Sequence, residues 1–206
     1  MFLDEIFSQS VTKISVKTRI GKNQPEEFYE LIEIFNKYPI EELTIHPRLQ
    51  KDFYKNKPNL KIFKEALSLS KNPVCYNGDI FTIKDYKEFS ACFPGVGSLM
   101  LGRGLLANPR LIEDIKNNIK IEKSLLKEFH DKLYNDYKKV LSGDVNVLYK
   151  MKGLWFYMIS VFSNNEKYAK RIKKSERLYD YDEAISSLFR EQDVLENYEK
   201  NIAFRG

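Results

Sequence analysis

Cysteine, histidine and long apolar runs are scarce in this sequence, and each scarcity excludes a class of protein. The 206 residues include two cysteines and two histidines, so neither the disulfide framework of a small secreted domain nor the ligand set of a structural zinc site is present. No stretch approaches the roughly 18 apolar residues of a membrane-spanning helix. The first residues, MFLDEIFSQS, carry Asp4 and Glu5 where a signal peptide would be basic. The sequence therefore indicates a protein of the reducing cytoplasm.

The composition otherwise fits a folded domain with a moderately basic surface. Hydrophobic residues make up 43% of the chain, charged residues make up 31%, and the net charge is +5. A hydrophobic content of this size supports one domain, or two small ones. A moderately basic balance is a weak indication of an anionic partner such as nucleic acid.

Short apolar runs alternate with helical patterns over the first half of the chain. The predicted strands lie at 13–17, 42–48, 73–79 and 97–104, and the predicted helices between them lie at 25–39, 58–70 and 82–93. Thr82 is the predicted cap of the third of these helices, and MFLDEIFSQS fits the end of an amphipathic helix. Four successive strand–helix units predict a parallel sheet.

Only helical periodicity recurs after Pro109. The helices predicted there lie at 111–119, 123–141, 145–162, 168–178 and 181–200. We therefore predict an α/β domain over residues 1–108 and an all-α helical domain over residues 109–206.

The four predicted strands end in residues suited to binding an anion. The ends read Lys17-Thr18-Arg19, His46-Pro47-Arg48, Asn77-Gly78-Asp79 and Gly102-Arg103-Gly104. Functional residues gather at the carboxyl ends of parallel strands. Glycines let backbone N–H groups approach a phosphate, and an arginine can pair with its charge. Solvated cations and ordinary turns are the alternative for each end taken alone, but together the four ends favour a cofactor-phosphate site.

Four segments carry a resemblance to a known family. VKTRIG, ELTIHPR, PVCYNGDI and LMLGRGLLANP are similar, in order and spacing, to the last four strand ends of the tRNA-dihydrouridine synthases. The resemblance covers residues 11–110 and extends more weakly to YKMKGLWFYM. It implies the C-terminal half of a TIM barrel, with four βα units, followed by a helical tRNA-binding domain. It also implies FMN as cofactor, NADPH or NADH as reductant, and reduction of uridine to 5,6-dihydrouridine in tRNA.

The resemblance assigns roles to residues at the strand ends. Those it implies for FMN binding are Lys17 and His46 at the flavin, Asn77, Gly78 and Asp79 at the ribityl-phosphate region, and Gly102 and Arg103 at the phosphate. Arg19 and Arg48 match family arginines on the substrate side, which makes them candidates for RNA contact.

One motif of the family is missing from the chain. The family's catalytic cysteine lies in an Asn-x-Gly-Cys-Pro segment, whereas Cys75 and Cys92 lack both the preceding glycine and the following proline. We expect both to be small, buried or half-buried residues. The resemblance thus implies that the first half of the barrel, with the catalytic acid, is supplied elsewhere, with another chain as a candidate partner. Alone, this portion is expected to be inactive and to leave sheet edges unpaired.

A cluster of cations near the end of the chain is the second candidate site. In KYAKRIKKSERL, residues Lys167, Lys170, Arg171 and Lys174 share one helical face. A solvated face is the plain alternative, but the resemblance to a tRNA-modifying family favours phosphate contact. The Trp155-Phe156-Tyr157 cluster is predicted to lie in the core, and His130 is predicted to be structural.

Two other functions remain open from the sequence. One is a different FMN-dependent TIM-barrel oxidoreductase, of the dihydroorotate dehydrogenase type. The other is a non-catalytic RNA-binding remnant in which the α/β part only supports the helical domain.

Overall fold

The computed structural model describes residues 2–53 and 56–198. The chain divides into two compact units. The sheet unit runs to Asp79 and resumes at Glu88–Leu101, and the helical unit comprises Ile80–Lys87 and the residues from Gly102 onward. The predicted boundary at residue 108 lies close to the third crossing between the units, after Leu101, and stays a prediction.

A four-stranded parallel sheet forms the centre of the sheet unit. Its strands are β1 (Val16–Gly21), β2 (Leu43–Leu49), β3 (Val74–Tyr76) and β4 (Ser98–Leu99), and their order in the sheet is β1-β2-β3-β4. All three pairings are parallel, which confirms the predicted α/β class with a parallel sheet. The prediction of half a TIM barrel goes beyond this observation and stays a prediction.

The first strand begins later than predicted. The alternating segment at 13–17 suggested a strand, but the ladder with β2 starts at the Val16–Leu43 pair and continues to Gly21. The register shifts between Arg19 and Gly21, and Gly21 has a φ of +149°, a conformation open mainly to glycine. The strand therefore runs past its predicted end at Lys17 and finishes in an irregular turn at Gly21.

Helices cover the apolar face of this sheet. After α1 (Phe2–Gln9), whose Phe7 stacks on Tyr38, they are α2 (Glu27–Phe35), α3 (Leu60–Leu69) and α4 (Ile83–Cys92), and a 3₁₀ turn spans Gln50–Asp52. Phe63 of α3 and Phe89 of α4 both contact the ring of Tyr76, at centroid distances of 4.9 and 4.0 Å. Leu43 and Ile45 of β2 are fully buried. The apolar sides of β2 and β3 are thus used for packing against helices.

Between Leu101 and residue 198, where the described part of the chain ends, the helical unit contains six helices. They are α5 (Arg103–Ala107), α6 (Leu111–Asn117), α7 (Lys123–Val140), α8 (Asp144–Met158), α9 (Glu166–Lys174) and α10 (Leu178–Glu191), with a 3₁₀ turn at Ile159–Val161. Their core surrounds Trp155, which is fully buried with Met151, Met158 and Phe162. None of the helices in the described ranges has the length and apolarity needed to cross a membrane.

Two segments near the ends of predicted elements differ from the sequence analysis. Residues 97–104 were predicted as one strand, but only Ser98–Leu99 pair, and Arg103 begins the short helix α5. The last predicted helix, 181–200, spans more than α10, which ends at Glu191, and Val194 forms an isolated bridge with Phe162. Residues 199 and 200 lie outside the described part of the chain.

Candidate functional site

The register of the sheet brings polar residues onto one face. Lys17 is level with Thr44, Thr44 is level with Cys75, and Arg19 is level with His46. Residues two apart on a strand lie on the same face. Lys17, Arg19, Thr44, His46, Arg48 and Cys75 therefore form what we call the polar face. It is opposite the face that the helices cover, which explains why charged residues interrupt otherwise apolar strands.

Lys17 and Arg19 give this face its positive charge. Partial desolvation and the neighbouring Arg19 guanidinium lower the pKa of the Lys17 ammonium from its usual value. Arg19 is held by two main-chain acceptors, because its Nη1 donates to the carbonyls of Leu49 at 2.9 Å and Gln50 at 3.2 Å. An anionic edge of a ligand would relieve the crowding of these two cations.

His46, Arg48 and Asp79 form a connected group at the ends of β2 and β3. Arg48 is 1% exposed and His46 is 5% exposed. Nη1 of Arg48 lies 3.0 Å from His46 Nε2 and 3.1 Å from Asp79 Oδ1, and Nη2 donates to Asp79 Oδ2. Nε of Arg48 donates to the carbonyl of Asn56 at 2.6 Å. We call these three residues the buried triad.

This arrangement bears on the prediction that Arg48 contacts RNA. The side chain is enclosed and its guanidinium is paired with Asp79, so the described structure gives it an internal role. Sequence reasoning missed the pairing because the two residues are 31 positions apart. The available signal was the spacing of His46 and Arg48, which places both on one face of a strand.

Asn77, which directly follows β3, is hydrogen-bonded to β2 and to the residue after β4. Its backbone N–H donates to the carbonyl of Ile45 at 3.0 Å, and its side-chain amide donates to the carbonyl of Met100 at 2.7 Å. Packing explains why residue 78 is a glycine, since a Cβ at this position would lie 1.9 Å from the Tyr76 hydroxyl oxygen. The Asn-Gly-Asp turn is therefore fixed within the sheet unit, with Asp79 directed to Arg48.

Gly102 and Arg103, the predicted phosphate residues, begin the helical unit. Gly102 is exposed, and a Cβ there would meet no heavy atom within 4 Å. The guanidinium carbon of Arg103 lies 5.6 Å from the centroid of the Phe81 ring. By contrast, a Cβ on Gly104 would lie 2.2 Å from the carbonyl oxygen of Ile80. Packing thus requires a glycine at position 104, whereas the backbone at Gly102 is exposed and unobstructed.

The basic cluster lies on α9, as predicted from its spacing. Lys167, Lys170 and Lys174 are exposed, while Tyr168, Ala169 and Ile172 are buried against the helical core. Arg171 is half-buried, and its Nη2 lies 3.4 Å from a carboxylate oxygen of Glu183. Three lysines therefore form an exposed row, and the arginine is partly neutralised.

The predicted structural residues of the helical unit lie in its interior. Trp155 Nε1 donates to the hydroxyl oxygen of Tyr181 at 2.7 Å, and that oxygen lies 2.6 Å from His130 Nε2. His130 Nδ1 lies 2.9 Å from a carboxylate oxygen of Asp131. This confirms the core position of Trp155, whereas Phe156 and Tyr157 of the same predicted cluster are half-buried; the buried, hydrogen-bonded position of His130 agrees with a structural residue.

The two cysteines differ from each other. Cys75 is buried, as expected, and burial raises the pKa of its thiol. Cys92 is exposed, so the expectation of a buried or half-buried residue was wrong there, because Cys92 is the final residue of α4. A thiol with a raised pKa is a poor nucleophile, which agrees with a packing role for Cys75.

Comparison with known proteins identifies the family. The model of the dihydrouridine synthase (Dus) family matches residues 3–203. This chain belongs to the dihydrouridine synthase family. The match extends through both the sheet unit and the helical unit, so the weaker resemblance in the helical region is included in it.

Individual members of the family are similar over part of their length. The tRNA-dihydrouridine(16) synthase of Pasteurella multocida is 32% identical over 111 residues, covering 51% of this chain and 34% of that protein. The tRNA-dihydrouridine synthase B of the same organism is 29% identical over 132 residues, covering 60% and 39%. A probable tRNA-dihydrouridine synthase of Rickettsia bellii is 31% identical over 108 residues, covering 52% and 33%. The chain thus spans about a third of the length of such relatives.

Proposed function

We propose that this chain forms part of an FMN-dependent tRNA-dihydrouridine synthase that reduces uridine in tRNA to 5,6-dihydrouridine. The observation that carries the proposal is the polar face of the sheet. Lys17 and His46 lie on this face within the adjacent strands β1 and β2, and Asn77 directly follows β3, at the carboxyl edge where enzymes of this architecture bind ligands. The family match and the names of the relatives supply the reaction.

The residues of the sheet unit fit a flavin mononucleotide chemically. Flavin mononucleotide, when bound, supplies the hydride for reduction of a carbon–carbon double bond. Lys17 would place a positive charge beside the flavin and favour its anionic reduced form. His46 would contact the ring system, and the fixed Asn77 amide would orient it. Gly102 and Arg103, in the helical unit, are our proposed phosphate residues, supported by the open backbone at Gly102 and by the match to the family motif.

The order of the strands supports a partial TIM barrel over residues 1–108. Each strand pairs with the next one in the sequence, as the strands of a barrel do. Beside β1 lies an open groove of about 740 Å³ whose lining includes Leu31, Ile34 and Phe53. In this proposal, a segment or chain outside residues 1–206 pairs with β1 and supplies the cysteine acid. NADPH or NADH is the proposed reductant.

The helical region, residues 109–206, is proposed to bind tRNA. Lys167, Lys170 and Lys174 form a row of exposed cations on α9, and phosphate contacts by such rows supply most of the sequence-independent affinity for nucleic acids. Arg171 and Arg19 are proposed as further contacts, each already held by a protein acceptor.

Visible absorbance of the purified chain, with and without added FMN, tests the flavin part of this proposal. We expect bound flavin with quenched fluorescence, and weaker binding by Lys17→Met, which removes one positive charge of the polar face. Lys13→Met is the matched control, because Lys13 forms an exposed ion pair with Glu41 at 2.7 Å. Binding of tRNA is measured separately. A colourless chain that binds tRNA would instead support the RNA-binding remnant.

A further inference from the structure

A completely buried arginine lies beside two residues of the proposed flavin site. The Arg48 side chain is 0% exposed, and its partner Asp79 is 13% exposed. Burying a guanidinium and a carboxylate costs more free energy than burying apolar groups of the same size, unless hydrogen bonds compensate for it. Apolar residues would fill this space at lower cost. An ion pair at this position therefore suggests a role beyond packing.

The hydrogen bonds of Arg48 determine where the proton of His46 lies. A guanidinium has five N–H donors and no acceptor, so Nε2 of His46 must accept the hydrogen bond from Nη1 at 3.0 Å. A ring nitrogen that accepts carries no proton. His46 is therefore in the neutral form with its proton on Nδ1, and the ring orientation is fixed at the same time.

The same guanidinium fixes the turn that follows β3. Nη1 and Nη2 donate to the two carboxylate oxygens of Asp79, and this forked pairing requires the planar shape of arginine. Asp79 is two residues beyond Asn77, whose amide is bonded to Met100. Arg48 thus joins the end of β2 to the turn after β3. Its positive charge also offsets the Asp79 carboxylate, which would otherwise repel an anionic ligand.

From this geometry we propose that Arg48 is a positioning residue for cofactor binding. It holds His46 in the Nδ1–H tautomer, clamps Asp79, and so preforms the strand ends to which the proposed function assigns FMN. The inference rests on that proposed function for the identity of the ligand. The effect on His46 is a property of the chain itself and is measurable without any ligand.

Nitrogen-15 NMR of the two histidine rings tests the proposal on the full chain. The chain has two histidines, so His130→Gln assigns the signals of His46. We expect the wild type to show a protonated Nδ1 and an unprotonated Nε2 on His46. In Arg48→Met we expect a mixture of tautomers, because the donor facing Nε2 is gone.

Arg48→Lys separates positioning from simple charge compensation. Lysine keeps the positive charge beside Asp79 but offers one nitrogen in place of the planar fork. We expect this variant to fold and still to lose the fixed His46 tautomer. Restoration of the wild-type His46 signals by lysine would overturn the proposal. So would a wild type protonated at Nε2, or an Arg48→Met variant whose His46 signals are unchanged.

A titration with FMN links the positioning effect to the ligand. We expect the dissociation constant to rise about tenfold or more in Arg48→Met, in line with the effect of removing residues that orient ligating groups. Lys13→Met, in an exposed ion pair, should match the wild type, and circular dichroism confirms the fold of each variant. A wild-type chain without FMN binding would count against the proposed function, and the His46 signals would then decide the inference about Arg48.

Discussion

The hydroxyl group of Tyr181 connects three helices at the level of single residues. Its oxygen accepts a hydrogen bond from Trp155 of α8, and its proton is available for Nε2 of His130 in α7. Because His130 Nδ1 faces the Asp131 carboxylate, that nitrogen donates and Nε2 accepts. Each polar atom of the chain of bonds therefore has the donor or acceptor it needs, which is the condition for burying such groups at low cost.

The buried imidazole gives the helical unit a pH dependence. Burial lowers the pKa of His130 from its usual 6.5, although the Asp131 carboxylate opposes this shift. Well above pH 6.5 the folded and unfolded states are both neutral at this residue. Below it the unfolded chain takes up a proton that the folded chain resists, so the free energy of unfolding falls as the pH falls. Urea unfolding at pH 7.5 and 5.5, followed by Trp155 fluorescence, measures this decrease.

His130→Gln supplies the control for that measurement. The variant is expected to be less stable at pH 7.5, and to lose most of the decrease between pH 7.5 and 5.5. Since the chain has a single tryptophan, the signal reports on the helical unit, while His46 belongs to the sheet unit. An equal decrease in the variant would show that another group causes the pH dependence.

Side-chain roles were predictable from the sequence where they depend on local pattern. The burial of Trp155 follows from its apolar neighbours, whereas Lys17, predicted at the end of a strand, is the second residue of β1. The pairing of Arg48 with Asp79 depends on the register between β2 and β3 and on a turn 31 residues away. No local pattern encodes such a contact, so an arginine that reads as a surface residue is found inside.

The short helix α5 shows how contacts within the helical unit determine an element. Its sequence, RGLLA, begins beside two glycines and has little intrinsic helical preference. The helix forms where the backbone of Gly104 approaches the carbonyl oxygen of Ile80, at a separation that leaves no space for a Cβ. That contact is invisible in a sequence pattern, which is why the segment was taken for the end of a strand.

Substitution of glycine by alanine at two positions tests this interpretation. Gly104→Ala is expected to destabilise the helical unit by about 1–3 kcal/mol, as overpacking usually does. Gly153→Ala is the matched control, because a Cβ on Gly153 of α8 would meet nothing within 4 Å. It should stabilise the unit by roughly 0.5–1 kcal/mol through the better helical preference of alanine. Trp155 fluorescence during urea unfolding measures both changes, and similar results for the two variants would contradict the packing explanation.

Longer elements were predicted well because their signals are repeated along the sequence. The helix α4 begins where Thr82 was expected to cap it. The Thr82 hydroxyl accepts from the Asp85 N–H at 3.1 Å, and the Asp85 carboxylate accepts from the Thr82 N–H at 2.8 Å. Such reciprocal caps depend on residues three apart. Strand bounds were less accurate, since β1 is defined by its pairing with β2.

At the scale of the whole molecule, the net charge of +5 matters where cations are exposed together. If α9 contacts tRNA phosphates, the affinity for tRNA should fall as the salt concentration rises. Protein binding releases salt cations from the RNA backbone, and this release is less favourable at high salt. Replacing Lys167, Lys170 and Lys174 by glutamine should lower the slope of log affinity against log salt by about 1 for each lysine. Filter binding or fluorescence anisotropy over a series of salt concentrations gives this slope.

A second triple variant controls for the loss of charge alone. Lys127, Lys132 and Lys139 lie on α7 and are paired with Asp131 or Asp136. Replacing these by glutamine removes the same charge from the same unit but leaves α9 intact. We expect a smaller change in slope. Equal changes for both variants would indicate that the net charge, and not the α9 row, governs RNA binding.

The path of the chain has a practical consequence for dissecting the protein. Residues 80–87 belong to the helical unit, although the sheet unit precedes and follows them in the sequence. A fragment beginning at Gly102 would lose Phe81, whose carbonyl accepts a hydrogen bond from the Tyr198 hydroxyl at 2.6 Å and whose ring lies beside Arg103. It would also lose Ile80, against which α5 is packed. No single cleavage separates the two units, so an autonomous helical unit needs residues 80–87 joined to Gly102 by a linker in place of residues 88–101.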